Sequence, residues 1–287
     1  MAFDKTLLFV AISLTLSSCW IHSARANPVP TEDDNQLDRD DSFKAGKPLT
    51  EEEFNSGATG NKGASMNNRP WEHQQGGDVP PSNGNKKNGD VKWPGGRIPY
   101  VISSDFSPEE RKVIGSGIVD YHKQTCLRFV PRKSESDYLK IIRSKESKNG
   151  WSAYPGCWAQ KGNVGGAQEL SLDNGCVYKS TVIHELMHAV GFDHEQERPD
   201  QSRYITVNYK NIKPENHQWF TPKPRDAVNT IGQYDINSVM HYEAYAFATD
   251  RSIPTMVAKN GKKNMGNENG FSTSDVQKLN TLYSCSG

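Results

Sequence analysis

Residues 180–200 read "STVIHELMHAVGFDHEQERPD", and this stretch decides the reading of the whole chain. His184 and His188 stand four apart, so on a helix both imidazoles lie on one face, a turn apart, within reach of one ion. Gly191 can take positive φ and end that helix sharply, after which the chain turns back and presents His194 from a second direction. Three neutral imidazoles around zinc leave a fourth position open to water, which is the arrangement of a catalytic rather than a structural site. Glu185 can lie beside that water without ligating the ion. Zinc lowers the water's pKa to about 7, the glutamate accepts its proton, and the hydroxide attacks a carbonyl that zinc polarises. His122, His217 and His241 lack this spacing and are assigned no metal.

Around this stretch the pattern alternates short strands and helices. The motif predicts a helix over about 178–190. A strand is expected near 98–102. The helix that follows has Ser107 as N-cap, Pro108 at its first position and Glu110 closing a capping box. Val113, Ile114, Ile118 and Tyr121 fall on one of its faces. "CLRFVPR", "YLKIIRS" and "QELSL" read as further strands. The last third is rich in turn residues until "STSDVQKLNTLY", a helix expected to be capped near Thr273 or Ser274.

Composition divides the 287 residues into parts. Lys5, the apolar run from Leu7 to Leu16 and "ARA" at 24–26 read as a secretory signal over 1–26, and the run is too short to span a bilayer easily. Residues 27–84 hold eleven acidic against five basic residues and few large apolar ones. Such a segment is either a disordered linker or a propeptide that orders by lying on something else. Formal net charge is zero, and no basic-aromatic stripe or second long apolar run occurs. A nucleic-acid or membrane partner is therefore not expected. With Cys19 leaving in the signal, Cys126, Cys157, Cys176 and Cys285 remain. Four cysteines in an oxidising compartment suggest two disulfides, in any of three pairings.

The pattern H-E-x-x-H-x-x-G-x-x-H with the later "SVMHY" resembles the metzincin zinc peptidases, and within them the astacin family. "WPGGRIPYVI", "CLRFVPR" and "GCWAQKGNVGGAQELSLDNGC" extend the likeness over about 85–285. The resemblance implies an α+β, two-lobed fold. A twisted mixed sheet and two helices would form the upper lobe, and a mostly irregular lower lobe would end in a helix. It implies one Zn2+ held by His184, His188 and His194, with Glu185 as general base. Met240 would lie as a floor under the metal. Tyr242 would be a weak further ligand that swings to the oxyanion. Glu195 would meet the new N-terminal region after activation, and Trp158 would edge the substrate cleft. The implied bridges are Cys126–Cys285 and Cys157–Cys176.

The resemblance also implies a secreted, monomeric endopeptidase acting on proteins or peptides, made as a zymogen with a catalytic domain over 85–287 and no further module. Two departures stand out. Gln201 and Ser202 replace the usual Arg-Asp after Asp200, which is expected to alter local salt bridges and not zinc chemistry. The family's propeptide motif Phe-x-Gly-Asp is reduced to Gly77 and Asp78, making Asp78 the candidate zinc-blocking latch. The activating cut is expected near Asn85, with a cut after Lys87 as the competing site. An inactive binding protein would lack Glu185 or a ligand, and a structural zinc site would offer a fourth strong ligand. Neither feature is present.

Overall fold

Strand β1 (Arg97–Ile102) runs through the middle of the first half of the domain. In the computed structural model, which describes residues 43–60, 92–146, 156–228 and 230–285, it lies between β2 (Arg128–Pro131) and β3 (Tyr138–Ile142), parallel to both. β3 pairs in parallel with β5 (Ala167–Leu172), and β4 (Cys157–Ala159) closes the sheet antiparallel to β5. The order is β2-β1-β3-β5-β4, a mixed sheet with β4 at one edge. Every residue of β3 is buried, as expected of a parallel strand near the centre of a sheet covered on both faces. Pro131 sits on the edge strand β2, where a missing N–H is tolerated.

Helix α2 (Pro108–Gln124) forms as its sequence dictates. Ser107 Oγ accepts from Glu110 N, and the Glu110 carboxylate accepts from Ser107 N at 2.8 Å. Its glycines let neighbours approach closely on different sides. A Cβ at Gly117 would lie 2.7 Å from Val182 of α3 (Lys179–Ala189), and one at Gly115 would lie 2.7 Å from the Glu53 carbonyl. α3 begins without a side-chain cap, and just past its C-cap Val190 stands Gly191, whose φ of 113° is the positive value the motif required.

After α3 the chain is mostly turns and 3-10 segments, with a small antiparallel pair, β6 (Ile205–Val207) and β7 (Met256–Ala258). Helix α4 (Thr273–Leu282) ends this half. Its N-cap is Ser272, one residue before the expected position, because Asp275 three residues on completes a capping box with it. Disulfides join Cys126 to Cys285 and Cys157 to Cys176. The first ties the chain just after α2 to the chain just after α4.

Of the acidic segment before the domain, residues 43–60 are described, and they lie on the domain. Helix α1 (Glu51–Asn55) packs on α2, Leu49 is buried, and Ala45 bridges Ser103. Residues 1–26, Asp78, Asn85 and Lys87 fall outside the described residues. Among the described residues, no helix is long and apolar enough to cross a membrane.

Candidate active site

The helical period and the Gly191 turn bring His184, His188 and His194 together. One ligand atom from each lies within 4.8 Å of the others, and all three residues are buried. The Nε2 atoms of His184 and His194 are 3.3 Å apart. Two imidazole nitrogens on one tetrahedral zinc, each at about 2.0–2.1 Å, are separated by about 3.3 Å. The donor set therefore fits one zinc ion.

The outer nitrogens are each held. His184 Nδ1 faces the Val239 carbonyl and His188 Nδ1 the Phe192 carbonyl, both at 2.7 Å. His194 Nδ1 faces the Glu197 carboxylate at 3.3 Å. With Nδ1 engaged in each case, Nε2 is the nitrogen presented to a metal. Glu185 follows His184 on α3 and is fully buried.

The turn at residues 238–242 closes the site from another side. Met240 is buried, and its carbonyl accepts from Glu195 N at 2.9 Å. Tyr242 is buried, with its ring centroid 4.6 Å from that of His194, and its N–H donates to Gln196 Oε1. Asp275 of α4 holds this turn. Its Oδ1 accepts from Ser238 Oγ at 2.5 Å, and its Oδ2 accepts from Val239 N and Ser272 N, both at 2.9 Å. His241 is buried between the Tyr234 hydroxyl and the Tyr242 carbonyl. Burial pushes its pKa down to about 4, so it stays neutral and structural.

Glu195 is met by Lys278 Nζ at 2.6 Å, by Asp235 N at 2.8 Å and by Arg198 at 3.4 Å. Any contact with a new N-terminus near Asn85 lies outside the described residues. Arg198 also pairs with Asp200 at 3.0 Å. Gln201, where the family usually has arginine, is buried and donates to the carbonyls of Gln196 and Phe220. It packs the chain beyond the motif against the carbonyls of its neighbours.

A four-charge cluster flanks His194. Lys223 Nζ lies 2.9 Å from both Glu197 and Asp193, and Lys161 Nζ lies 2.7 Å from Asp193. Burial raises the pKa of Asp193, but the two lysines more than offset it and hold the carboxyl below its usual range. Trp158 is buried in edge strand β4, opposite Ser171. Gln196, Glu197, Lys223, Asp275 and Lys278 are site residues that motif reasoning did not single out. Only Asp275 carries a sequence signal, as the acid three residues after Ser272 in a capping-box pattern.

A family model described as "Astacin", a family of peptidases, matches residues 85–284. Zinc metalloproteinase nas-8 of Steinernema carpocapsae is 43% identical over 198 residues, covering 68% of this chain and 45% of that protein. High choriolytic enzyme 2 of Oryzias latipes is 39% identical over 191 residues, covering 66% of this chain and 64% of that protein. The solved structure of High choriolytic enzyme 1, a hatching enzyme zinc-protease from the same fish, aligns with a TM-score of 0.61 at 34% identity. That alignment covers 71% of this chain and 100% of that one. The likeness bears out the α+β fold that the family resemblance implied. This chain spans about half the length of the nematode relatives it matches.

Proposed function

The chain belongs to the astacin family of zinc peptidases, and from that premise we propose that it is a zinc-dependent endopeptidase, exported and made as a zymogen. The observation that carries this reading is the convergence of three buried imidazoles with every Nδ1 engaged, one residue from a buried glutamate. His184, His188 and His194 would hold the ion through Nε2. When bound, zinc supplies a Lewis acid for the scissile carbonyl and makes a water acidic enough to attack near neutral pH.

The chain's own residues do the rest. A Glu185 carboxylate oxygen takes the proton of the attacking water and passes it to the departing amine nitrogen. The Tyr242 hydroxyl donates to the oxyanion that develops on the carbonyl oxygen. Met240 floors the site. The outer edge of β4, beside Trp158, offers backbone groups to which an extended peptide adds as a strand.

The division into signal (1–26), propeptide (27–84) and catalytic domain (85–287) belongs to this reading, with Asp78 as latch and Glu195 as the contact for the freed N-terminal region. So do extracellular location, a monomeric state and protein or peptide substrates.

The test is cleavage of a quenched peptide library by processed protein, with Glu185→Ala alongside and with chelator and zinc add-back. Wild type should cut and regain activity with zinc. Glu185→Ala should bind zinc and cut nothing. Zinc-loaded wild type cutting no more than Glu185→Ala would overturn the proposal.

A further inference from the structure

Residues 43–60 hold to the domain through α2, Tyr100 of β1 and the first turn of α3. Arg111 of α2 makes four of the polar contacts. Its Nε donates to Glu53 Oε1 at 2.6 Å, and its Nη2 donates to the carbonyls of Lys47 and Pro48 at 2.9 and 3.1 Å and to Glu53 Oε2 at 3.2 Å. Ser56 Oγ donates to the Lys112 carbonyl at 3.1 Å, and Ser116 Oγ donates to the Ala58 carbonyl. Leu49 is buried, and its N–H donates to Tyr100 Oη. The Thr59 carbonyl accepts from Lys179 N at 3.2 Å, satisfying a first-turn donor of α3, a helix with no side-chain cap of its own.

Gly115 shows that α2 is shaped for this ligand. It lies mid-helix with ordinary helical φ, so the backbone does not require glycine there. Glycine in a helix interior is about 1 kcal/mol worse than alanine. A Cβ at this position would meet the Glu53 carbonyl oxygen at 2.7 Å, the Glu53 carbonyl carbon at 2.8 Å and Phe54 N at 3.0 Å, all of them backbone atoms of α1. The space that the missing methyl leaves is filled by residues 53 and 54.

We propose that the face of α2 bearing Arg111, Gly115 and Ser116 is a peptide-binding site in its own right, and that residues 43–60 stay on it as a noncovalent ligand after the chain is cut between residues 60 and 92. The ligand class is a segment whose short acidic run folds into one capped helical turn. α1 carries Glu51, Glu52 and Glu53 in its first turn, against Arg111 and Lys112. Five residues cannot sustain a helix alone, so the segment folds as it docks. The cut itself belongs to the zymogen reading above, but the binding does not depend on catalysis.

The test uses the full chain with a site-specific protease sequence placed within residues 61–84. After complete cutting, gel filtration and native mass spectrometry at micromolar concentration report whether the N-terminal fragment travels with the body. Wild type should retain it, and Arg111→Ala and Gly115→Ala should each weaken retention at least about tenfold. Gly115→Ala should also raise the melting temperature of the body once the fragment is gone, because alanine favours the helix. A misfolded variant would lower it. Loss of the fragment from wild type, or full retention by Gly115→Ala, would overturn the proposal. Peptidase activity on the same samples is a separate readout, so failure of the catalytic reading leaves the retention result standing.

Discussion

Glu197 turns its carboxylate onto Nδ1 of His194 at 3.3 Å, whereas the other two histidines of the triad face backbone carbonyls. A carboxylate behind a ligand imidazole fixes its tautomer and raises its basicity. Lys223, shared between Glu197 and Asp193, keeps this buried carboxylate compensated. Glu197→Gln should therefore weaken zinc binding about 10- to 100-fold. Competition with a chromophoric chelator on folded protein measures this directly. Zinc affinity unchanged within about twofold would count against the assignment.

Asp275 links the last helix to the turn at residues 238–242, whose Val239 carbonyl faces His184. Removing its side chain leaves Val239 N and Ser238 Oγ without this partner and dismantles the α4 capping box. Lost bonds to a buried charged group, together with a lost cap, are worth roughly 2–4 kcal/mol. Asp275→Ala should lower thermal stability by that amount, and Asp275→Asn, which keeps an acceptor, should recover part of it. An alanine variant within about 0.5 kcal/mol of wild type would refute this role, given what buried unpaired groups cost.

Docking of residues 43–60 should depend on pH through Glu53. Burial raises its pKa, but Arg111 and the Thr50 N–H outweigh burial and hold the carboxyl below its ordinary range. A depressed carboxylate stabilises the docked form above its free pKa, about 4.3, and that stability is lost as pH falls through the depressed value. The cut fragment should thus be retained equally at about pH 7 and about pH 5.5 and released only as pH falls below the free value. Glu53→Gln should weaken retention at neutral pH and flatten the profile. A wild-type release midpoint above about pH 5 would argue for a different titrating group.

What could be read beforehand was local in sequence. The triad followed from a four-residue period and one glycine, and the α2 cap from three residues close together. Phe192 and Glu197 stand within four residues of the histidines they face, but Val239 lies 55 positions from His184, and the pairs that fasten the turns around the triad are also far apart in the chain. Asp275 reaches Ser238 across 37 positions and Lys278 reaches Glu195 across 83, and no periodicity marks such pairs. The α4 cap fell on Ser272 because that hydroxyl stands three residues before an acid. Residues 43–60 read as too polar to fold alone. They are ordered by α2, whose complementary glycine carries no signal until both surfaces are seen together.

The two disulfides should differ in kind. Cys126–Cys285 closes a separation of 159 residues, and Cys157–Cys176 one of 19. By loop-closure entropy the long bridge is worth about 5 kcal/mol and the short one about 3 kcal/mol. The long bridge also fastens the end of α4, the helix that brings Asp275 and Lys278 to the site. Paired serine substitutions at 126 and 285 should therefore give the larger loss in denaturant unfolding and weaken zinc retention. The short bridge anchors edge strand β4 through Cys157. Serines at 157 and 176 should spare zinc binding and, if the β4 edge receives substrate as proposed, raise KM more than they lower kcat, because that edge loosens while the triad stays in place. The reverse order of stabilities, or zinc loss in the 157/176 variant alone, would show that α4 is not what the long bridge protects.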